Sequence, residues 1–121
     1  MITIQQLAQF LEDKQKHKAL FIFYADKYKL HINFTIPHTI SIYTIIENLT
    51  NYNPTDRIAR LKYYVQQNTQ VLGYMYSTLA YNKDNNVVIQ QWLDKTNSID
   101  KILHAIDEML IHADILTNTH Y

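Results

Sequence analysis

The near absence of glycine restricts the fold of this chain more than any other feature of its sequence. Gly73 is the only glycine in 121 residues, whereas phosphate-binding loops and tight active-site turns depend on glycine. The chain also has no cysteine, so it has no disulfide, no thiolate metal ligand and no cysteine nucleophile. The sequence therefore disfavours enzymes built on glycine-rich cofactor loops or on a reactive thiol.

Length and composition favour one soluble domain spanning residues 1–121. Apolar residues make up 47% of the chain and charged residues 18%, which is enough to build one core and too little charge for disorder. Eleven basic and eleven acidic residues cancel, so no long-range field gathers nucleic acid or an anionic membrane. Neither a signal peptide nor a membrane span is evident, and we expect a cytoplasmic protein.

The first third of the chain predicts a helix followed by a β-hairpin. Residues 3–16 combine a capping pattern with an apolar stripe and end in lysines, as amphipathic helices do. Residues 19–24 are apolar and rich in β-formers, and residues 28–36 alternate between apolar and polar side chains. Asp26 and Lys27 lie between these two runs and should form the turn.

Residues 39–50 fit two structures. Ser41 to Tyr43 could extend the sheet, whereas Ile42, Ile45 and Ile46 have the spacing of one helix face. We predict a helix from about Ile42.

The second half of the chain predicts three helices. Asn53 and Pro54 form a strong helix start, and we expect this long helix to continue to about Tyr81. Asn68 occupies a polar slot in its apolar seam and should bond to a facing helix or across a dimer axis. That seam comprises Ile58, Leu61, Val65, Leu72, Met75 and Leu79.

A short helix over residues 87–95 and a last helix over residues 99–116, capped at Asn97 and Ser98, complete the chain. The last helix has an apolar seam of its own: Ile99, Ile102, Ile106, Met109, Ala113 and Leu116. The predicted fold class is α+β, with an N-terminal helix and a small antiparallel hairpin sheet followed by a helical part with one long helix.

A tyrosine-rich stripe on the long helix is the first candidate site. Tyrosine provides a large contact area with a polar tip and is enriched at protein interfaces. The alternative is that the sheet covers this side and that the tyrosines are half-buried structure. The predicted protein-interaction residues are Tyr63, Gln67, Gln70, Tyr74 and Tyr81.

Three residues of the last helix, His104, Glu108 and His112, are spaced four apart and form a weak candidate for zinc. No fourth ligand is evident, and a His–Glu pair at this spacing is also ordinary surface chemistry. We therefore predict no metal and no other cofactor.

The last helix is also acidic, which argues against DNA recognition and provides a second candidate interaction surface for a basic partner protein. That surface comprises Asp100, Asp107, Glu108 and Asp114.

These observations favour a small non-enzymatic module that binds and masks or inhibits a partner protein, of the immunity, antitoxin or anti-defence type found in bacteria and phages. The partner is another protein, and the long helix could also pair two copies as a homodimer. Two alternatives remain open at this point: a nucleic-acid-binding regulator, and a small enzyme that uses a metal or its histidines.

Overall fold

The computed structural model describes residue 9 and residues 20–25, 27–71 and 77–118, except for the side chains of residues 69–71 and 118. Within these residues, five antiparallel strands form one sheet in the order β1-β2-β3-β5-β4, and two helices accompany it. The predicted helix over residues 3–16 lies outside the described residues, apart from residue 9. The elements are β1 (Leu20–Ala25), β2 (Tyr28–Asn33), β3 (Thr39–Asn48), α1 (Pro54–Val71), β4 (Thr78–Tyr81), β5 (Asn86–Asp94) and α2 (Ile99–Asn118).

Strands β1 and β2 form the predicted hairpin, in a register that runs from Leu20 opposite Asn33 to Ala25 opposite Tyr28. The alternation along β2 is confirmed, because its apolar side chains enter the core. However, β2 ends at Asn33, three residues before the predicted end. The Asn33 side-chain oxygen accepts hydrogen bonds from the backbone N–H of Thr35 at 2.9 Å and from its hydroxyl at 2.6 Å. This local turn replaces the strand ladder.

The predicted helix from Ile42 is wrong, because residues 39–48 form β3. This strand pairs with β2 on one side and β5 on the other. The segment is dominated by β-branched residues, which favour strands. Ile42 and Thr44 turn inward and are fully buried, and the Thr44 hydroxyl donates to the carbonyl of Lys29 at 3.0 Å.

Helix α1 begins as predicted but does not reach the predicted end at Tyr81. The Asn53 side chain caps the helix by accepting the N–H of Asp56 at 2.8 Å. Instead of continuing the helix to Tyr81, residues 78–81 form β4, which pairs with β5. Leu72 and Met75 of the predicted seam lie outside the described residues.

The predicted seam of α1 is buried only in part, because Leu61 packs against the core and other members do not. Val65 is 59% exposed and Ile58 is similarly open to solvent, whereas Tyr64 is only 3% exposed and belongs to the core. Arg60 and Tyr64 both bond to Glu47 of β3, so this helix is held by polar side chains. The apolar spacing therefore mixed two sides of the helix: Leu61 is partly buried against the core, whereas Ile58 and Val65 are exposed.

Residues 87–95 are a strand as well, not the predicted short helix. Strand β5 lies between β3 and β4, and it buries Val87 and Ile89 on its inner side. The turn that leads into it is polar as predicted. The Asn82 side-chain oxygen accepts the N–H groups of Asp84 and Asn86 at 3.0 and 3.1 Å.

Helix α2 confirms the prediction for the last helix. Ser98 caps it, its hydroxyl oxygen accepting the N–H of Lys101 at 3.3 Å. The predicted seam covers the inner face of the sheet, and Ile102, Met109 and Ala113 are fully buried there. The core therefore lies between α2 and the inner face of the sheet, with Tyr64 of α1 at its margin.

Candidate protein-interaction surfaces

The outer face of the sheet, opposite α2, carries large apolar side chains. The strand register fixes this face: Ile22 lies opposite His31, which lies opposite Tyr43, and Tyr43 lies opposite Gln90. Residues that share a face alternate along each strand. Five apolar side chains on this outer face are between 38% and 59% exposed: Leu20, Ile22, Tyr24, Ile45 and Trp92.

His31 and Tyr43 form the centre of this outer face. Their rings stack with centroids 4.4 Å apart and planes 4° from parallel. The His31 Nε2 atom is buried and has no hydrogen-bond partner among the described residues. Burial, followed by the nearby charge of Lys29, lowers the pKa of His31 below its usual 6.5. The ring is therefore neutral at physiological pH and adds a flat, uncharged surface to the apolar side chains around it.

Helix α1 presents a second apolar surface. Its stripe contains the exposed Ile58 and Val65 and the partly buried Leu61, and it is bordered by Lys62 and Gln66. Beside it lies a shallow groove of about 120 Å³, where Leu61 and Val65 meet Leu79 and Tyr81 of β4. Helices pack against one another by placing the ridge of one in the groove of the other, and α1 offers both a ridge and a groove.

A polar network fixes the orientation of α1 and therefore of that stripe. Glu47 accepts bonds from Arg60 at 2.9 and 2.8 Å and from the Tyr64 hydroxyl at 2.9 Å. Burial, followed by the bond to Glu47, raises the pKa of Tyr64 above its ordinary value. Arg57 donates to the carbonyls of Leu49, Thr50 and Tyr52. These bonds hold α1 in the orientation that leaves Ile58 and Val65 exposed.

The predicted tyrosine stripe is divided between two elements. Tyr63 and Gln67 are half-buried on α1, and the Tyr63 ring meets Tyr64 edge to face at 5.5 Å. Tyr81 lies on β4, partly exposed, and its hydroxyl bonds to Asn85. Tyr74 and the side chain of Gln70 lie outside the described part of the chain. Whether these residues contact a partner stays a prediction, but they do not form one continuous helix face.

The candidate zinc ligands do not converge. His104 is exposed and bonds to Glu108 at 3.0 Å, whereas His112 is 1% exposed and points into the protein. No three His, Asp or Glu residues cluster in a manner that could hold a metal, within residues 20–25, 27–71 and 77–118. The four-residue spacing placed the three on adjacent turns, but the packing of α2 turned His112 inward.

His112 instead joins three elements. Its Nδ1 lies 2.8 Å from the hydroxyl of Ser77, and its Nε2 lies 2.9 Å from the side-chain oxygen of Asn68 on α1. An amide oxygen only accepts, so Nε2 carries the proton and Nδ1 accepts from Ser77. The predicted bond from Asn68 to a facing helix is thereby confirmed. Both Ser77 and His112 are buried, so this pair stabilises the fold and is not accessible to a substrate.

The acidic candidates on α2 differ in their surroundings. Asp100 and Asp107 are exposed. Glu108 pairs with His104. Asp114 accepts the Tyr28 hydroxyl at 2.6 Å and pairs with Lys27 at 3.3 Å, so it ties the helix to the hairpin. Of the four, Asp100 and Asp107 present their charge most directly to solvent.

Sequence reasoning missed the outer sheet face. The signal was the run from Leu20 to Ala25, in which apolar residues occupy both alternating positions. Such a strand is either buried on both faces or exposes an apolar face. Neither α1 nor α2 is long and apolar enough to cross a bilayer.

The fold has counterparts among solved structures, although no protein-family model and no curated protein matches the sequence. A chain in the crystal structure of the ExsC–ExsE complex has a TM-score of 0.64 at 6% identity, over 98% of this chain and 96% of that one. A chain in the HopA1–SchA chaperone–effector complex has a TM-score of 0.58 at 9% identity, over 98% of this chain and 100% of that one. A chain in the ExoT–SpcS complex from Pseudomonas aeruginosa has a TM-score of 0.55 at 10% identity, over 94% of this chain and 97% of that one. At these identities the likeness shows a shared fold.

Proposed function

We propose that the protein is a non-enzymatic, cytoplasmic module that binds a segment of a partner protein and masks it, as a chaperone masks its client. The observation that carries this proposal is the outer face of the sheet, with five large apolar side chains open to solvent. Contiguous exposed apolar surface on a folded protein usually has a partner. The likeness to a chain in a chaperone–effector complex supports a client protein rather than a toxin or an immunity target.

Chemistry at the sheet favours a protein partner over nucleic acid. The exposed residues of the outer face are mainly aliphatic, and Lys29 is the only basic side chain among its central residues on β2. The formal net charge is zero, so binding to a phosphate backbone would gain little from counterion release. Apolar contact and shape would therefore provide most of the affinity.

A charged substitution on the outer face tests the proposal. Cross-linking in the native host followed by mass spectrometry identifies the partner, whose affinity is then measured against wild type and Ile22→Lys. We expect Ile22→Lys to weaken binding at least about tenfold, because a desolvated charge replaces an apolar contact beside the central His31. Thr55→Lys adds the same charge at an exposed position in the first turn of α1 and should bind as wild type. Equal affinity of all three proteins would refute the proposal.

We further propose that the apolar stripe on α1 pairs two copies of the chain. Ile58 and Val65 are exposed beside the groove between α1 and β4, so a twofold axis could place the ridge of each copy in the groove of the other. Analytical ultracentrifugation should show a dimer for wild type and a monomer for Val65→Asp. Asn51→Asp adds the same charge in the turn before α1 and should leave the dimer intact. A monomeric wild type would rule out the homodimer without affecting the partner-binding proposal.

A further inference from the structure

Strand β5 extends beyond its neighbour β4. Strand β4 pairs with β5 only from Val87 to Gln90, whereas β5 continues to Asp94. Ser77, directly before β4, is outside the strand and turns its hydroxyl to His112 on α2. Among the described strands, none lies beside the last four residues of β5 on that side.

The hydrogen-bond pattern shows which backbone groups face this open side. Lys95 N–H donates to the carbonyl of His38 at 3.0 Å, one step beyond the pair of Thr39 with Asp94. Hydrogen-bonded and non-bonded pairs alternate in antiparallel ladders, so Leu93 and Gln91 bond to β3. Trp92 therefore directs its N–H and C=O away from β3. Edge strands present such backbone groups, and an added strand can pair with them.

A groove of about 320 Å³ lies along this open stretch. One wall is β5, with Gln91, Trp92 and Leu93, and the other is α2, with Lys101, Ala105 and Glu108 among its lining residues. The Trp92 indole is exposed at its rim. An extended polypeptide could lie here beside Trp92 without displacing a described strand.

Gln91 provides an independent sign of a missing partner. Its side chain is only 6% exposed, and the buried Oε1 has no hydrogen-bond donor among the described residues. An unmatched buried amide costs stability unless a partner arrives. The terminal amide torsion is broad, so this oxygen can turn towards a donor in the groove.

The charges of the groove favour a basic side chain. Glu108 supplies a largely buried carboxylate, which among the described residues pairs with His104 at 3.0 Å. Lys101 is the one cation in the lining, so a basic side chain would have to approach from the Glu108 side. A lysine or arginine there would donate to both Glu108 and Gln91.

We propose that this groove binds an extended segment of the partner polypeptide, which adds to the open end of β5 through Trp92 and places a basic side chain against Glu108 and Gln91. The inference rests on the proposed masking of a client protein, and it names a second contact, which shares Trp92 with the outer sheet face. Strand addition provides affinity through the backbone, and the basic side chain provides specificity.

A displayed library of random twelve-residue peptides, selected on the wild-type protein, is the probe. We expect selected peptides to carry lysine or arginine within a run of β-forming residues. Each is then synthesised and titrated against Trp92→Ala and Trp92→Pro, both of which lose the indole. Only proline removes the N–H that faces the groove, and no bond to β3 is lost with it. Trp92→Pro should bind at least about tenfold more weakly than Trp92→Ala.

Two further measurements keep the test decisive if Trp92→Pro does not fold. Hydrogen exchange of the Trp92 amide in wild-type protein should slow at least about tenfold when peptide is bound. Glu108→Gln should weaken binding, whereas Asp107→Asn, the same charge change at an exposed site, should not. The inference is overturned if no peptide is selected, if the peptides lack basic residues, or if the Trp92 amide exchanges at an unchanged rate.

The two proposals fail separately. If the native partner is lost by Ile22→Lys, binds Trp92→Pro as tightly as Trp92→Ala and is unaffected by Glu108→Gln, the groove is not a contact and the masking function stands. If peptides bind the groove but Ile22→Lys leaves the native partner bound, the proposed outer-face function fails.

Discussion

The two helices are attached to the rest of the protein by different interactions, apolar packing for α2 and mainly polar bonds for α1. Helix α2 covers the sheet with an apolar seam that includes Ile102 and Met109, both fully buried. Helix α1 is attached by Glu47, Arg60 and Tyr64, with Asn68 bonded to His112, and its apolar stripe faces solvent. An apolar stripe therefore shows that a helix has two unlike faces, without showing which face the protein buries.

The largest difference between the helices should appear on removal of a core side chain from α2. Met109→Ala is expected to lower the free energy of unfolding by about 2–5 kcal/mol, because it leaves a cavity between helix and sheet. Urea denaturation measures this loss. A loss below about 0.5 kcal/mol would mean that α2 is not the main cover of the core.

The polar attachment of α1 should respond to loss of its shared acceptor. Glu47→Ala leaves the Arg60 guanidinium and the Tyr64 hydroxyl without the carboxylate that both contact, at an expected cost of about 1–3 kcal/mol. Urea denaturation at neutral pH checks this value, with Asp84→Ala, an exposed acid in the β4–β5 turn, as the control. If both variants unfold alike, the network does not hold α1.

Acid should weaken the contact between the helices. Burial lowers the pKa of His112 below its usual 6.5, so the folded protein holds the ring neutral while the unfolded chain protonates it near pH 6.5. The stability from this site is complete above pH 6.5 and is lost as the pH falls from 6.5 towards the lower folded pKa. Thermal unfolding between pH 8 and pH 5 should show this decline (a range set by the ordinary histidine pKa of about 6.5).

Asn68→Asp sharpens that test. A carboxylate in place of the amide still accepts the Nε2 proton, and it favours the charged ring, so the acid-induced loss should shrink. Asn68→Leu removes the bond without adding charge and should keep the loss. Equal pH profiles for wild type and Asn68→Asp would assign the acid sensitivity to another group.

The smallest effect is expected on the exposed stripe of α1. Ile58→Ala should change the free energy of unfolding by no more than about 0.5 kcal/mol, as for other exposed positions. The measurement requires protein dilute enough to stay monomeric, so that pairing of copies does not contribute. A loss of about 2 kcal/mol under those conditions would place Ile58 in the core and reverse the comparison.

The elements that sequence patterns predicted correctly are those with local signals. The hairpin follows from clean alternation along β2, and α2 follows from a capped, uninterrupted seam. Strands β3 and β5 were mistaken for helices because their isoleucines and valines suit both periods over eight to ten residues. The choice between helix and strand depends on pairing with strands that are distant in the sequence, and no local pattern contains that information.

The sequence did contain a signal against the long helix. Gly73 lies within its predicted span, and glycine is unfavourable inside a helix. The sequence signal for the outer-face candidate site was weaker. A strand with apolar residues on both faces, such as β1, could equally well be buried on both sides. Its exposure depends on which side of the sheet the helices cover.

The bond from Tyr28 to Asp114 joins the hairpin to the far end of α2, 86 positions later in the chain. During translation, the inner residues of β2 leave the ribosome long before the helix that will cover them. Leu30 and Ile32, fully buried in the finished fold, therefore lack the cover of α2 until that helix has been made. A protein proposed to mask an apolar segment of another thus has, during its own synthesis, apolar strands that await their cover, and such surface is prone to aggregation.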